Sequence, residues 1–141
     1  MLSQSGKYAV RAVLYLAVHS DEAHKIGFKK LSEDLAAPAA FVAKLLQELS
    51  RKGHVNSSKG KNGGFYLTES QKQKNLLEII IEIEGKDKLN NCVLDASHCN
   101  QKHPCALHHI AYPKQKEFLN GLKEKTLIDF ASEIKKGTSF L

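Results

Sequence analysis

Cys92, six residues, Cys99, five residues, Cys105, two residues, His108: these donors stand close enough along the chain for one loop and one helix turn to gather them. Thiolates and a neutral imidazole suit zinc or an iron–sulfur cluster. The two-residue gap places His108 about one helical turn after Cys105, so both side chains can face one site. His98, His103 and His109 are competing donors, although His109 points away if Cys105 and His108 converge. Seven of the ten cysteines and histidines fall between 92 and 109. No Cys-x-x-Cys pair is present, so the spacing is not that of a zinc finger. Three cysteines cannot all pair within one chain, and in a reducing compartment metal binding or redox sensing outranks a disulfide framework. The inert alternative is three thiols in a surface loop.

A second group of candidates is basic and lies upstream. Residues 1–74 hold 12 basic and 6 acidic side chains, and residues 75–141 hold 9 of each, so the net charge of +6 belongs to the first half. Positive charge confined to one half points to a polyanionic partner for that half. Ala39, Ala40 and Ala43 give one helix a flat leading face suited to the major groove of double-stranded DNA, and Lys44, Gln47 and Arg51 supply donors to bases or phosphates. Ser58, Lys59, Gly60, Lys61 and Asn62 form a basic hairpin tip placed to reach phosphates or the minor groove. Ser5, Tyr8, Lys29 and Phe41 complete the expected contact set.

The elements that must position these groups follow from periodicity. Ala9, Ala12, Val13, Leu16 and Ala17 recur at helical spacing from Ser5, read as the N-cap, to about Ser20. Two short helices follow, Phe28 to about Ala36 and Ala39 to about Lys52, joined across Ala37-Pro38. Phe41, Val42, Leu45, Leu46 and Leu49 form the apolar stripe of the second. Gly53 ends it, and Asn62-Gly63-Gly64 supplies the turn of a hairpin between Val55-Asn-Ser-Ser58 and Phe65-Tyr-Leu67. Helix, turn, helix and basic hairpin give a mainly α fold with a small β-wing, a winged helix-turn-helix. The run Leu76–Glu84 fits a helix capped by Asn75, and residues 85–104 read as a loop. A helical region runs from about Cys105 to Lys123, bent or divided by Pro113, and Thr126 caps a last short helix. The expected division is a DNA-binding domain over 1–74 and a cluster loop with dimerisation helices over 75–141.

Composition narrows the function classes. At 141 residues and 42% hydrophobic, the chain is long enough for one modest core. No apolar run approaches the ~18 residues of a membrane span, and no secretory leader opens the chain, so a cytoplasmic protein without a membrane partner is expected. The glycine-rich turn lacks the pattern of a phosphate loop, and nothing orients a Cys/His pair for nucleophilic catalysis. An enzyme with a small-molecule substrate is not expected.

Gly6-Lys-Tyr-Ala-Val10, Leu31-Ser-Glu33, Leu45-Leu-Gln-Glu-Leu-Ser-Arg-Lys-Gly53, Ser58-Lys-Gly-Lys-Asn-Gly-Gly-Phe65 and the three-cysteine loop occur in one order. Over nearly its whole length the chain resembles the Rrf-two family of bacterial transcription regulators. The resemblance implies a homodimer, acting as repressor or activator on a two-fold DNA operator. It makes the helix near Cys105 a long dimerisation helix and packs the last helix back near the DNA-binding domain. Cluster-binding members sense iron–sulfur status, redox or nitric oxide through three cysteines and a fourth ligand. In IscR-like members that ligand is a histidine beyond the third cysteine, the place of His108. In NsrR-like members it is an aspartate of the partner subunit's first helix, a place matched here by Lys7, which cannot ligate as a cation. The implied cofactor is therefore a 2Fe–2S cluster rather than a 4Fe–4S cluster. The gap from Cys92 to Cys99 is one residue longer than in IscR-like members, and Ala43-Lys44 replaces their Glu-Gln on the reading helix, so operator preference should differ. Family members without a cluster leave a cluster-free or zinc-binding regulator, controlled by thiol oxidation or a partner protein, as the alternative.

Overall fold

Ser3 rather than Ser5 caps the first helix. In the computed structural model, which describes residues 2–141, α1 spans Gln4–His19 and the Ser3 hydroxyl accepts from the Gly6 N–H at 3.1 Å. Ser3 is held there from a distance: its N–H and O–H donate to Glu84 Oε1 at 2.7 and 2.6 Å. A contact across 81 residues leaves no trace in the local pattern, and Ser5 lies inside the first turn. The apolar face of α1 behaves as its spacing implies, with Ala9, Ala12, Val13, Leu16 and Ala17 all buried.

α2 (Phe28–Asp34) and α3 (Ala39–Arg51) form the helix-turn-helix. Pro38 sits at the start of α3, where it has no N–H to lose, and its carbonyl accepts from Val42 N–H. At the other end Gly53 takes φ +76°, the Gly53 N–H donates to the Ser50 carbonyl and the His54 N–H to the Leu49 carbonyl. This paired closure stops the helix where its apolar stripe ends. β1 (Asn56–Ser58) and β2 (Gly64–Tyr66) pair antiparallel, with Ser57 opposite Phe65. Ile26, just before α2, bridges to Phe65 and fixes the wing beside the helices.

Thr68 caps the single turn α4 (Glu69–Lys72) through a reciprocal capping box with Gln71. The β-branched run is helical, as α5 (Leu76–Glu84), with the Asn75 side chain accepting from Glu78 N–H. Part of the expected loop is also helical: Gly85, at φ +83°, leads into α6 (Lys86–Leu89), whose Leu89 is buried. α7 (His108–Glu124) begins three residues after Cys105 and is not divided. Pro113 lies inside it, with no N–H to offer the His109 carbonyl one turn back. α8 (Leu127–Lys135) follows a Thr126–Asp129 capping box. α3, α5 and α8 all pack on α1, so one core of buried residues runs continuously from Ala9 to Ala131. Among the described residues, no helix is long and apolar enough to cross a membrane.

Candidate metal centre and nucleic-acid interface

The segment between α6 and α7 folds back so that the sulfurs of Cys92, Cys99 and Cys105 lie within 4.8 Å of one another. Two approaches are closer: Cys92 Sγ to Cys105 Sγ at 3.4 Å, and Cys99 Sγ to His108 Nδ1 at 3.2 Å. All four side chains are half-buried and line a cavity of about 250 Å³. His108 opens α7, and its ring stacks on Tyr112 one turn later, with centroids 5.1 Å apart and planes 11° from parallel. His98, His103 and His109 are exposed.

Electrostatics differ among the thiols. The backbone N–H groups of Leu94 and Ala96 stabilise the Cys92 thiolate against burial and bring its pKa down to about 7. The Cys105 N–H, 3.4 Å from Cys99 Sγ, pulls the Cys99 thiol down too. Burial and the adjacent Cys105 and Cys92 sulfurs outweigh it and push Cys99 up. Crowded thiols that cannot all ionise alone gain from a cation among them. Three mutually close sulfurs, with His108 joining them through Cys99 in the same cavity, therefore fit a thiophilic metal group.

α3 and the wing enclose a groove of about 700 Å³, and Lys44, Gln47, Arg51, Ser58, Lys59 and Gly60 line it. Lys61 and Asn62 are exposed at the wing tip, Lys29 is exposed on α2, and Ala40 is exposed in the first turn of α3. Ser5, Tyr8 and Phe41 are half-buried, and none of these last seven lines the groove. Tyr8 and Phe41 instead meet edge to face, with centroids 5.5 Å apart, which joins α1 to α3. Beside them the Arg11 guanidinium donates to the Leu35 carbonyl at 2.8 Å. The groove also holds Phe28 and Glu48, which charge and turn patterns did not single out.

Around the thiols, sequence reading missed Gln115 and Lys116, which hydrogen-bond the segment leading into Cys92. The available signal was their spacing, seven and eight residues after His108 on one helical face.

The family described as Rrf2, iron-dependent transcriptional regulator, matches residues 2–133. An HTH-type transcriptional regulator of Aquifex aeolicus is 32% identical over 111 residues, which are 77% of this chain and 76% of that protein. The HTH-type transcriptional regulator NsrR of Bacillus licheniformis is 25% identical over 123 residues, 86% of this chain and 85% of its own. Among solved structures, CymR, the global cysteine regulator of B. subtilis, shares the fold with a TM-score of 0.74 at 20% identity, over 94% of this chain and 96% of that one. T. potens IscR shares it with a TM-score of 0.73 at 20% identity, over 100% and 93%.

Proposed function

The chain belongs to the Rrf2 family of transcription regulators, and from that membership we propose a homodimeric, cytoplasmic DNA-binding repressor or activator governed by a 2Fe–2S cluster on Cys92, Cys99, Cys105 and His108. The observation that carries this reading is the convergence of the four donors, with three sulfurs mutually within 4.8 Å and His108 Nδ1 against the Cys99 sulfur. Cys92 with Cys105 and Cys99 with His108 form two close donor pairs, and these four residues would hold the group. Such a cluster supplies one-electron redox chemistry and reactivity toward oxidants and nitric oxide. Lys7 is exposed on α1 and is a cation, which favours the histidine-ligated type over an aspartate-ligated 4Fe–4S site.

On this reading residues 1–74 carry the DNA contacts and residues 75–141 carry the metal loop and the dimer helix. Lys44, Gln47 and Arg51 face bases and phosphates from α3, while Ser58, Lys59, Gly60, Lys61 and Asn62 present the wing to the backbone. Ser5, Tyr8, Lys29, Ala40 and Phe41 flank these contacts or support them. α7 buries Leu122 alone within the chain, and Ile110 is 73% exposed. Exposed apolar side chains on the cysteine loop and the start of α7, Val93, Leu94, Leu107 and Ile110, suit burial against a second copy.

Anaerobic purification of wild type and His108→Ala, with a visible spectrum and iron and sulfide per chain, tests the reading. Brown wild-type protein with about two irons and two sulfides, and an altered spectrum or lower iron content in His108→Ala, is expected. Colourless protein, or protein carrying zinc alone, contradicts the cluster and favours a thiol- or partner-controlled regulator.

A further inference from the structure

Cys92 follows a segment that α7 holds by its backbone. Gln115 Nε2 donates to the Leu89 carbonyl at 2.6 Å and to the Asn91 carbonyl at 3.2 Å. Its neighbour Lys116 donates from Nζ to Asn90 Oδ1 at 2.8 Å. Three consecutive residues are thus tied to one turn of α7 immediately before the first thiol. Their other hydrogen bonds, among the described residues, are local, to Lys86, Asp87 and Lys88. Leu89 is anchored in the core, but Asn90 and Asn91, next to Cys92, are exposed and have no apolar burial of their own.

The same helix controls the far end of the loop. His108, Tyr112, Gln115 and Lys116 fall at i, i+4, i+7 and i+8, one face of α7. Tyr112 stacks on the His108 ring, and Lys116 Nζ lies 5.3 Å from the Tyr112 centroid while reaching Asn90. Between these anchors residues 93–107 form turns without a regular element. The relative placement of the Cys92 sulfur therefore depends on the clamp at 89–91, and that of His108 on the stack.

We infer that Gln115 is a positioning residue for the metal site, holding Cys92 in register with Cys99, Cys105 and His108, and that Lys116 assists it through Asn90. The inference rests on the reading of these donors as a metal site, but the clamp itself belongs to the metal-free chain. Replacing the amide by an apolar side chain of similar size leaves the Leu89 and Asn91 carbonyls without their long-range donor, while Leu122 still anchors α7 in the core. The lesion is local, because Gln115 lines the cavity rather than the core.

The test uses reduced, metal-free, full-length protein and iodoacetamide, with alkylation at each cysteine followed by peptide mass mapping. In Gln115→Leu, which removes two hydrogen bonds, Cys92 is expected to react about fivefold faster or more, since one lost bond alone commands about that factor. Cys99 and Cys105 should keep their rates, and thermal unfolding should stay near wild type. Lys116→Met should show a smaller rise at Cys92, and Lys123→Ala, exposed in the last turn of α7, none. In iron-loaded protein Gln115→Leu should lose iron to a chelator several-fold faster. An unchanged Cys92 rate, or an equal rise at all three cysteines, would overturn the inference. Wild type that takes up no iron would instead remove the cluster reading, and the alkylation comparison would still decide the clamp.

Discussion

Glu84 shows how much one side chain can do across the molecule. Its carboxylate is buried, which by itself raises its pKa, yet the Ser3 hydroxyl and N–H and the Lys88 ammonium hold it below the ordinary value of 4.5. A folded pKa below the unfolded one means stabilisation that is complete above the unfolded value and lost as pH falls through the folded one. Gly6 makes the contact possible, since a Cβ there would collide with Glu84 Oε1. Glu84→Gln should lower stability by about 1–3 kcal/mol at neutral pH, and the gap should close on acidification below 4.5, as denaturant unfolding at the two pH values would show. A gap that persists in acid would mean the charge is not the source. Residue-level legibility divides along the same line. Cys92, Cys99, Cys105 and His108 were readable because their types are rare and their spacing is short. Ser3 and Glu84 were not, because they lie 81 residues apart, and Gln115 offered only its spacing from His108, since the partners that define its role are 24 and 26 residues away. Lys59 and Lys61 belong to this scale too: each changed to Ala should reduce the salt slope of DNA binding by about one. An unchanged slope would take the wing out of contact with phosphates.

At the scale of elements, periodicity located the helices and local chemistry set their ends. Gly53 and Asn75 lie where the apolar patterns of α3 and α5 end and begin, so both boundaries were legible. α6 was not, because four residues cannot display a helical period and its support is Leu89 reaching the core. Pro113 was expected to bend or divide a helix, and α7 is not divided there. The wing carries a sharper test. Gly64 adopts φ +149°, and a Cβ there would lie 2.7 Å from the Ile26 carbonyl carbon and oxygen. Gly60 adopts φ +101° in open space. Gly64→Ala should therefore destabilise by about 2 kcal/mol or more, and Gly60→Ala by less, since strain alone acts there. Chemical denaturation of the two variants measures the difference, and equal values would mean the wing does not need its close approach to Ile26.

For the whole molecule, charge and exposed apolar surface fall on different parts. The net +6 belongs to residues 1–74, with Lys44, Arg51 and Lys59 on one groove, while Val93, Leu94, Leu107 and Ile110 are exposed around the cysteine loop and α7. A second copy packed on α7 would bring two cysteine loops near the dimer interface and set the distance between the two α3–wing grooves. Ile110→Glu should then yield a monomer by light scattering and weaken DNA binding sharply, with iron content retained. A dimer that survives the change would place the interface elsewhere. Coupling between loop and groove has a continuous physical route: Gln115 and Lys116 join the loop to α7, α7 packs on α5, and Glu84 joins α5 to the start of α1. A contiguous route permits coupling, and only a difference in affinity establishes it. The most direct measurement is the affinity of iron-loaded and metal-free protein for one duplex, selected from a random pool by the loaded protein, at a fixed salt concentration. A metal-governed regulator predicts affinities that differ by about 5–150-fold. Equal affinities would contradict it.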